Sequence, residues 1–178
     1  STDNGKHAMT IILRDAKQSE AALLNQLGIR LYTHHLQHYW DSKEEMNEYL
    51  QQEYSLHTIQ HSLNDPAVSW YIVESSTPVG FLKVTWRCHI PGTRQEGTLL
   101  NKLYLSPDET GKNYGRQILD AIAEKARERG NDYLWLEVHE HNKRARQFYE
   151  KQGMVFIQDF FHKTSTSDVK VHILGKNL

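Results

Sequence analysis

The spacing of hydrophobic positions changes along the chain, and the first part has the spacing of helices. Apolar residues recur at helical intervals over 19–38, which predicts a long helix. Ser42 and Glu45 then form a capping box, so a second helix is predicted to begin at Ser42. A short third helix is predicted over 55–63, because the turn signal Asn64-Asp65-Pro66 follows it.

The remainder alternates between strand-like runs and two further helices. A helix is predicted over 115–130, with Gly130 as its C-cap, and another over 143–152, ended by Gly153. Runs rich in β-branched and aromatic residues predict strands over 10–14, 68–75, 79–87, 98–105, 133–138, 154–162 and 169–174. A polar loop is predicted over 91–97 and a polar turn over 165–168.

This order of elements predicts a mixed α/β sheet. Strand hairpins occur near both ends, with strand–helix–strand units between them, so a fully parallel sheet is excluded. The 178 residues fit one domain, predicted over 9–178. Residues 1–8 have no apolar signal-peptide core and are interpreted as a flexible leader or a cloning remnant.

Composition narrows the class of protein. Hydrophobic residues make up 38% and charged residues 24%, which is typical of a globular protein rather than a disordered one. The formal net charge of -1 argues against a nucleic-acid partner, and no apolar run is long enough to span a membrane. Cys88 is the only cysteine, so no internal disulfide can form and a reducing cytoplasm is the simpler setting. We interpret Cys88 as a buried or edge thiol.

A candidate anion site lies where a strand meets a glycine-containing loop and a helix start. Gly111 and Gly115 let the backbone approach a phosphate, while Lys112 and Arg116 add positive charge. These residues favour a phosphate-bearing ligand and an ordinary strand–turn–helix about equally. A P-loop is excluded, because Asn113 stands where Ser or Thr is required.

A second segment decides between these alternatives. Leu136-Glu137-Val138 is followed by Asn142, Ala145, Phe148-Tyr149 and Gly153, in the pattern L-x-V-x-x-x-N-x-x-A-x-x-F-Y-x-x-x-G. With this pattern, the chain from Leu103 to Gly153 resembles the GNAT superfamily of N-acetyltransferases. The family motif Q/R-x-x-G-x-G/A falls on 110–115 and departs from it at Thr110 and Asn113. Asparagine tolerates a left-handed backbone, so Asn113 is expected to preserve the loop.

The resemblance implies a fold, a donor substrate and a set of binding residues. The fold is a mixed, mainly antiparallel twisted sheet of about seven strands with helices on both faces. The donor is acetyl-CoA, with its pantetheine arm on the strand and its pyrophosphate on the loop and helix start. The implied coenzyme-binding residues are Leu103, Tyr104, Leu105, Gly111, Lys112, Asn113, Tyr114, Gly115, Arg116 and Asn142. Asn142 also suits a helix N-cap. No metal is expected, since His34 and His38 lack cysteine or carboxylate co-ligands.

Acetyl transfer to an amine needs a general acid and a base. The resemblance implies Tyr149 as the acid that protonates the leaving thiolate. Many family members carry a glutamate on the strand before the loop, but the corresponding residues here are Leu99 and Asn101. Glu137 is the candidate base, with Glu96 and His139 as alternatives and a water relay equally open.

A weaker similarity indicates the class of amine that accepts the acetyl group. The long N-terminal helical segment and the F-Y-E-K-Q-G-M stretch are similar to bacterial spermidine/spermine N-acetyltransferases. This implies a primary amine of a small molecule or polyamine, which Asp41, Glu44, Glu45 and Glu48 could attract. Peptide amines and a non-catalytic acyl-CoA-binding module are the alternatives. The hairpin over 154–174 often builds homodimers in this family.

Overall fold

The structure, a computed structural model, describes residues 11–109, 111–164 and 167–178. The predicted leader, Thr110 and part of the predicted turn over 165–168 lie outside the described residues. The strands are β1 Ile12–Asp15, β2 Val68–Glu74, β3 Pro78–His89, β4 Glu96–Leu105, β5 Tyr133–His139, β6 Val155–Lys163 and β7 Asp168–Asn177. The α-helices are α1 Ala21–Leu36, α2 Lys43–Tyr54, α3 Leu56–Leu63, α4 Tyr114–Glu128 and α5 Lys143–Lys151.

The strands form one sheet in the order β1-β2-β3-β4-β5-β7-β6. β1 pairs with β2 in the antiparallel sense, and β7 pairs antiparallel with both β5 and β6. β4 and β5 pair in parallel, with Thr98 opposite Leu134 and Leu99 opposite Trp135. The predicted mixed, mainly antiparallel sheet of seven strands is confirmed.

Most predicted elements are confirmed to within a few residues. The Ser42 side chain accepts a hydrogen bond from the Glu45 N–H, and Ser55 caps α3 in the same way. The predicted strand over 169–174 is too short, because β7 continues through Gly175 to Asn177. Glycine, lysine and asparagine are poor strand formers, so cross-strand pairing with β5 overrides local propensity there.

The contacts divide the chain into two compact units. The N-terminal unit comprises the described residues up to Val84 together with Lys102–Leu119. The C-terminal unit comprises Thr85–Asn101 and Asp120–Leu178. β3, β4 and α4 each contribute residues to both units.

The core of the N-terminal unit lies between helices α1–α3 and the strands β2 and β3. Its fully buried side chains include Leu24 and Leu31 of α1, Ile59 of α3 and Phe81 of β3. Each such side chain contributes roughly 1.5–3 kcal/mol through burial. Gly28 lets the Tyr54 ring pack against the backbone of α1, because any Cβ there would overlap the ring. The three helices therefore form a close layer over this part of the sheet.

A buried polar network joins the strands of the C-terminal unit. The Asn131 side-chain NH2 group donates to the Trp86 carbonyl at 2.7 Å and to the Thr98 hydroxyl oxygen at 3.0 Å. The Thr98 hydroxyl in turn donates to the same Trp86 carbonyl. Buried polar groups are costly unless they are hydrogen-bonded, and these groups are bonded to one another. The network holds β3 and the start of β4 in register.

Candidate functional site

The end of β4 presents one backbone edge to β3 and the other away from it. The Ser106 N–H donates to the Val79 carbonyl of β3 at 2.8 Å, and the Tyr104 carbonyl lies against Gly80 of β3. Backbone polar groups of successive strand residues point to opposite edges. The N–H and C=O groups of Leu103 and Leu105 therefore point to the edge facing away from β3. This is the edge that a pantetheine arm could pair with.

The loop after β4 has the left-handed backbone that phosphate loops require. Gly111 has a φ of 80° and Asn113 a φ of 65°. Among the described residues, Asn113 is the one non-glycine residue with positive φ. The expectation that Asn113 adopts this conformation is confirmed. Apart from Gly111 and its chain neighbours, no atom of the described residues comes within 4 Å of the position a Gly111 Cβ would occupy, so this side of the backbone is open to a ligand.

Charged and amide groups surround the start of α4. Lys112 lies 3.4 Å from the Glu109 carboxylate, and Arg116 is exposed. The side-chain NH2 group of Gln117, in the first turn of α4, is buried and has no hydrogen-bond partner among the described residues. A buried donor without a partner costs free energy, and a ligand oxygen would satisfy it. The loop and helix start thus fit an anionic ligand. Gln117 could not be found from the sequence, because position 117 lies outside the motif on 110–115.

Asn142 caps α5, as the sequence predicts. Its side-chain oxygen accepts a hydrogen bond from the Ala145 N–H at 3.1 Å. The cap uses the oxygen of the amide. The NH2 group of Asn142 is therefore the part of the side chain that could contact a ligand.

Tyr149 lies on α5, and the residue as a whole is half-buried. Desolvation of its hydroxyl raises the pKa of the phenol to about 12. The phenol therefore stays protonated throughout the physiological range and can act as a hydrogen-bond donor. A donor is what a leaving thiolate requires.

Glu137 of β5 is bonded to a histidine of β6. The His162 imidazole Nε2 lies 2.7 Å from the Glu137 carboxylate, which accepts its hydrogen bond. Since Leu99 is opposite Trp135, alternation along β5 places Glu137 on the same face of the sheet as Leu99. Position 99 is one of the two that correspond to the base in many relatives. A carboxylate is thus present on the neighbouring strand.

The other two candidate bases have different partners. Glu96 lies 2.7 Å from the Arg87 guanidinium and 3.6 Å from the His89 imidazole. The His139 Nδ1 accepts a hydrogen bond from the His141 backbone N–H. The Nδ1 lone pair of His139 is therefore engaged in this hydrogen bond. The Arg87 guanidinium favours a role for Glu96 in an ion pair over a role as base.

Cys88 is a partly buried thiol at the end of β3. Desolvation raises its pKa, and the nearby Glu137 and Glu96 carboxylates raise it further. A protonated thiol is a poor nucleophile. These surroundings support the interpretation of Cys88 as a structural thiol.

The residues that the sequence predicts for the site are distributed over the two units. The N-terminal unit contains Leu103–Leu105 and the loop and helix start up to Arg116, whereas Glu137, Asn142 and Tyr149 belong to the C-terminal unit. Within the described residues, no group of three or more His, Cys, Asp or Glu side chains is arranged to hold a metal ion. None of the helices in the described ranges has the length and apolar character needed to cross a bilayer.

Comparison with known proteins identifies similar chains. The family model described as the acetyltransferase (GNAT) family matches residues 30–154. An uncharacterised N-acetyltransferase of Lactobacillus delbrueckii subsp. lactis is 26% identical over 120 residues, which are 64% of this chain and 67% of that protein.

Solved structures are similar over nearly the whole chain. The PaiA N-acetyltransferase of Thermoplasma acidophilum, in complex with coenzyme A, superposes with a TM-score of 0.70 at 21% identity, covering 96% of this chain and all of that one. A spermidine N-acetyltransferase SpeG variant of Vibrio cholerae superposes with a TM-score of 0.63 at 15% identity, covering 94% of each chain. These likenesses show that the fold is shared.

Proposed function

Because this chain belongs to the acetyltransferase (GNAT) family and is therefore an acetyl-CoA-dependent N-acetyltransferase, we propose that its acceptor is a primary amine of a small molecule or polyamine. For the donor side of the reaction, the observation that carries the proposal is the open loop before α4, where Gly111 and Asn113 have positive φ and the NH2 group of Gln117 has no partner among the described residues. Such a loop fits the pyrophosphate of the donor.

The acceptor class rests on charge and on one relative. Glu44 and Glu48 on α2 and the preceding Asp41 are exposed, so they are available to attract a cationic amine. The Vibrio cholerae relative, which shares the fold, is named as a spermidine N-acetyltransferase. Both observations favour a polyamine or a similar small cation.

Each unit has its own proposed contacts with the coenzyme. In the N-terminal unit, the backbone of Leu103–Leu105 pairs with the pantetheine arm. The loop and helix start hold the pyrophosphate through backbone N–H groups and the side chains of Lys112, Arg116 and Gln117. In the C-terminal unit, Asn142 contacts the coenzyme through its NH2 group while its oxygen caps α5.

The proposed reaction is direct attack on the thioester. A lysine-type ammonium has a pKa of ~10.4, so its deprotonation near pH 7 costs about 4–5 kcal/mol, and Glu137 takes this proton as the general base. The amine nitrogen then bonds to the carbonyl carbon, the carbon–sulfur bond breaks, and the remaining excess proton on nitrogen is lost as the amide forms. The thiolate finally gains a proton to become free coenzyme A.

Tyr149 acts on the leaving sulfur mainly as a hydrogen-bond donor. A phenol with a pKa of about 12 is a weaker acid than an alkyl thiol of ~8.5, so complete proton transfer costs about 5 kcal/mol. A hydrogen bond stabilises the developing thiolate without that cost. The phenol can also relay a proton, giving its own to the thiolate while it receives another from water.

The test is steady-state release of free thiol from acetyl-CoA, screened over polyamines, amino acids and peptides with an amino-terminal or lysine amine. Acetylation of polyamines or other small amines, with a higher kcat/KM than for peptides, is expected. Preferred acetylation of peptides would overturn the acceptor class. Tight acetyl-CoA binding without turnover on any amine would indicate a binding module instead.

Two further properties belong to this proposal. Val155, Phe156 and Phe161 are exposed on β6, the edge strand of the sheet, and an exposed apolar edge favours pairing with a second copy of the chain. A homodimer through β6 is therefore proposed, and light scattering of the wild type and of Phe161→Asp tests it. A reducing cytoplasm is the proposed setting, because Cys88 has no second cysteine to pair with.

A further inference from the structure

His35 of α1 makes a hydrogen bond to the backbone of β4. Its Nε2 lies 2.7 Å from the Leu105 carbonyl oxygen, and both residues belong to the N-terminal unit. Leu105 is the last residue of β4 and belongs to the segment assigned above to the pantetheine arm. His34 and His38 lie close to His35 in the sequence, and this contact distinguishes His35 from them.

The contact lies on a particular edge of the strand. Ser106 and Tyr104 direct their backbone groups to β3, as their contacts with Val79 and Gly80 show. The Leu105 carbonyl therefore points away from β3, to the open edge. The His35 ring is thus bonded to one of the carbonyls that a pantetheine amide could otherwise use.

The hydrogen bond also determines the tautomer of the ring. A carbonyl oxygen can only accept, so the hydrogen must be on Nε2, and in the neutral imidazole Nδ1 is left as an acceptor. The ring is oriented by stacking on Tyr104, with centroids 6.2 Å apart and planes inclined by 25°. The His35 ring is therefore held at this edge of β4 by the Leu105 bond and by Tyr104, and its Nδ1 is the nitrogen left to accept a hydrogen bond in the neutral ring.

We propose that the His35 imidazole contacts the pantetheine arm of acetyl-CoA and is a coenzyme-binding residue contributed by α1. The arm carries amide N–H donors, which suit an imidazole acceptor, and methylene groups, which suit a ring face. The proposal rests on the proposed function only for the placement of the pantetheine arm along β4, and it assigns no role in recognising the acceptor.

Truncated donors separate this contact from those with the nucleotide. Acetyl-pantetheine keeps the arm and lacks the nucleotide. His35→Ala is expected to lower kcat/KM by a similar factor, about 10-fold, for acetyl-CoA and for acetyl-pantetheine, since one lost hydrogen bond of this kind is worth roughly that factor. Arg116→Gln is expected to lower it for acetyl-CoA alone. The control, His57→Gln on the exposed surface of α3, is expected to change neither.

His35→Gln refines the test, because its amide NH2 group can still donate to the Leu105 carbonyl, while it has no ring and no acceptor at the position of Nδ1. It is expected to fold like the wild type and to bind acetyl-CoA about as weakly as His35→Ala. Wild-type affinity for coenzyme A by calorimetry in both variants, with unchanged use of acetyl-pantetheine, would overturn the proposal.

A measurement on the wild-type protein remains informative if the variants fail to fold. The imidazole nitrogen resonances of His35 are expected to report the Nε2–H tautomer in the free protein and to shift when coenzyme A is added. Resonances that do not move on saturation with coenzyme A would contradict the contact. If they shift while no amine is acetylated, the proposed acceptor class fails and the role of His35 stands.

Discussion

The His162 imidazole on β6 lies 2.7 Å from the Glu137 carboxylate on β5, and the two side chains share one hydrogen bond. β7 lies between their strands in the sheet. The pair holds the candidate base in one orientation on the face that carries Leu99. Orientation matters because a base must meet the proton it removes.

Replacing Glu137 by glutamine tests its role as base. Glu137→Gln keeps the size of the side chain and an oxygen for His162 but removes the basic carboxylate. We expect kcat to fall by roughly 10²–10⁴-fold, the usual contribution of a general base, with little change in the affinity for acetyl-CoA. Glu124→Gln, on the exposed face of α4, is the matched control. An unchanged kcat would favour a water relay without a single base.

Replacing Tyr149 by phenylalanine tests the hydrogen bond to the leaving thiol. We expect Tyr149→Phe to lower turnover more than coenzyme affinity, because the hydroxyl acts on charge that develops during the reaction. Rate constants and a separate binding titration distinguish the two effects. Wild-type turnover in this variant would remove Tyr149 from the mechanism.

The raised pKa of the Tyr149 phenol also predicts how kcat depends on pH. Its pKa is raised to about 12 by desolvation, so it keeps its proton well above neutral pH. We therefore expect no loss of kcat from its ionisation up to about pH 10, the usual phenol pKa. The preference of the folded state for the protonated phenol also affects the free energy of unfolding. This contribution is fully present below pH 10 and is lost as the pH rises towards 12, because Tyr149 ionises first in the unfolded chain. Urea unfolding should accordingly show a smaller alkaline loss of stability for Tyr149→Phe than for the wild type.

The left-handed conformation of Asn113 predicts opposite results for two substitutions. Asn113→Gly restores the glycine of the family motif and should leave stability and acetyl-CoA affinity close to those of the wild type. Asn113→Val should cost about 1–2 kcal/mol and weaken acetyl-CoA binding, because a β-branched residue disfavours a φ of 65°. Thermal unfolding and calorimetric titration measure both effects. Equal behaviour of the two variants would show that the backbone conformation is unimportant.

A buried ion pair predicts an effect on stability away from the chemistry. The Lys102 ammonium lies 2.7 Å from the Glu53 carboxylate, and the lysine side chain is only 6% exposed. Glu53→Gln leaves a buried charge without its counter-ion, and we expect a loss of about 3 kcal/mol in the free energy of unfolding. The double variant with Lys102→Met should recover much of this loss. If the single variant is as stable as the wild type, the pair does not stabilise the N-terminal unit.

Several parts of the fold could be predicted from local signals. The cap at Ser42 depends on a hydrogen bond within one helical turn, so a short stretch of sequence is enough to reveal it. The end of β7 could not be predicted in this way. Gly175, Lys176 and Asn177 join the strand because β5 supplies hydrogen-bond partners from a distant part of the chain.

In the candidate site, too, some residues could be predicted from local sequence and others depend on tertiary contacts. The loop with Gly111 and Asn113 and the segment with Asn142 and Tyr149 could be found in the sequence, because both are short motifs that resemble those of the GNAT superfamily. Gln117 and His35 could not be found. An amide becomes significant only when packing buries it without a partner, and a histidine only when a helix brings it to the edge of a strand.

The sequence by itself determined the order of elements, the mixed sheet and the residues of the loop before α4, because hydrophobic period, capping and turn chemistry act over a few residues. Only the tertiary structure decided that Glu137 lies on the same face of the sheet as Leu99, and that His35 is a histidine that bonds to β4. Such relationships depend on strand register and on helix packing. These join residues that are far apart in the chain, and no local pattern records them.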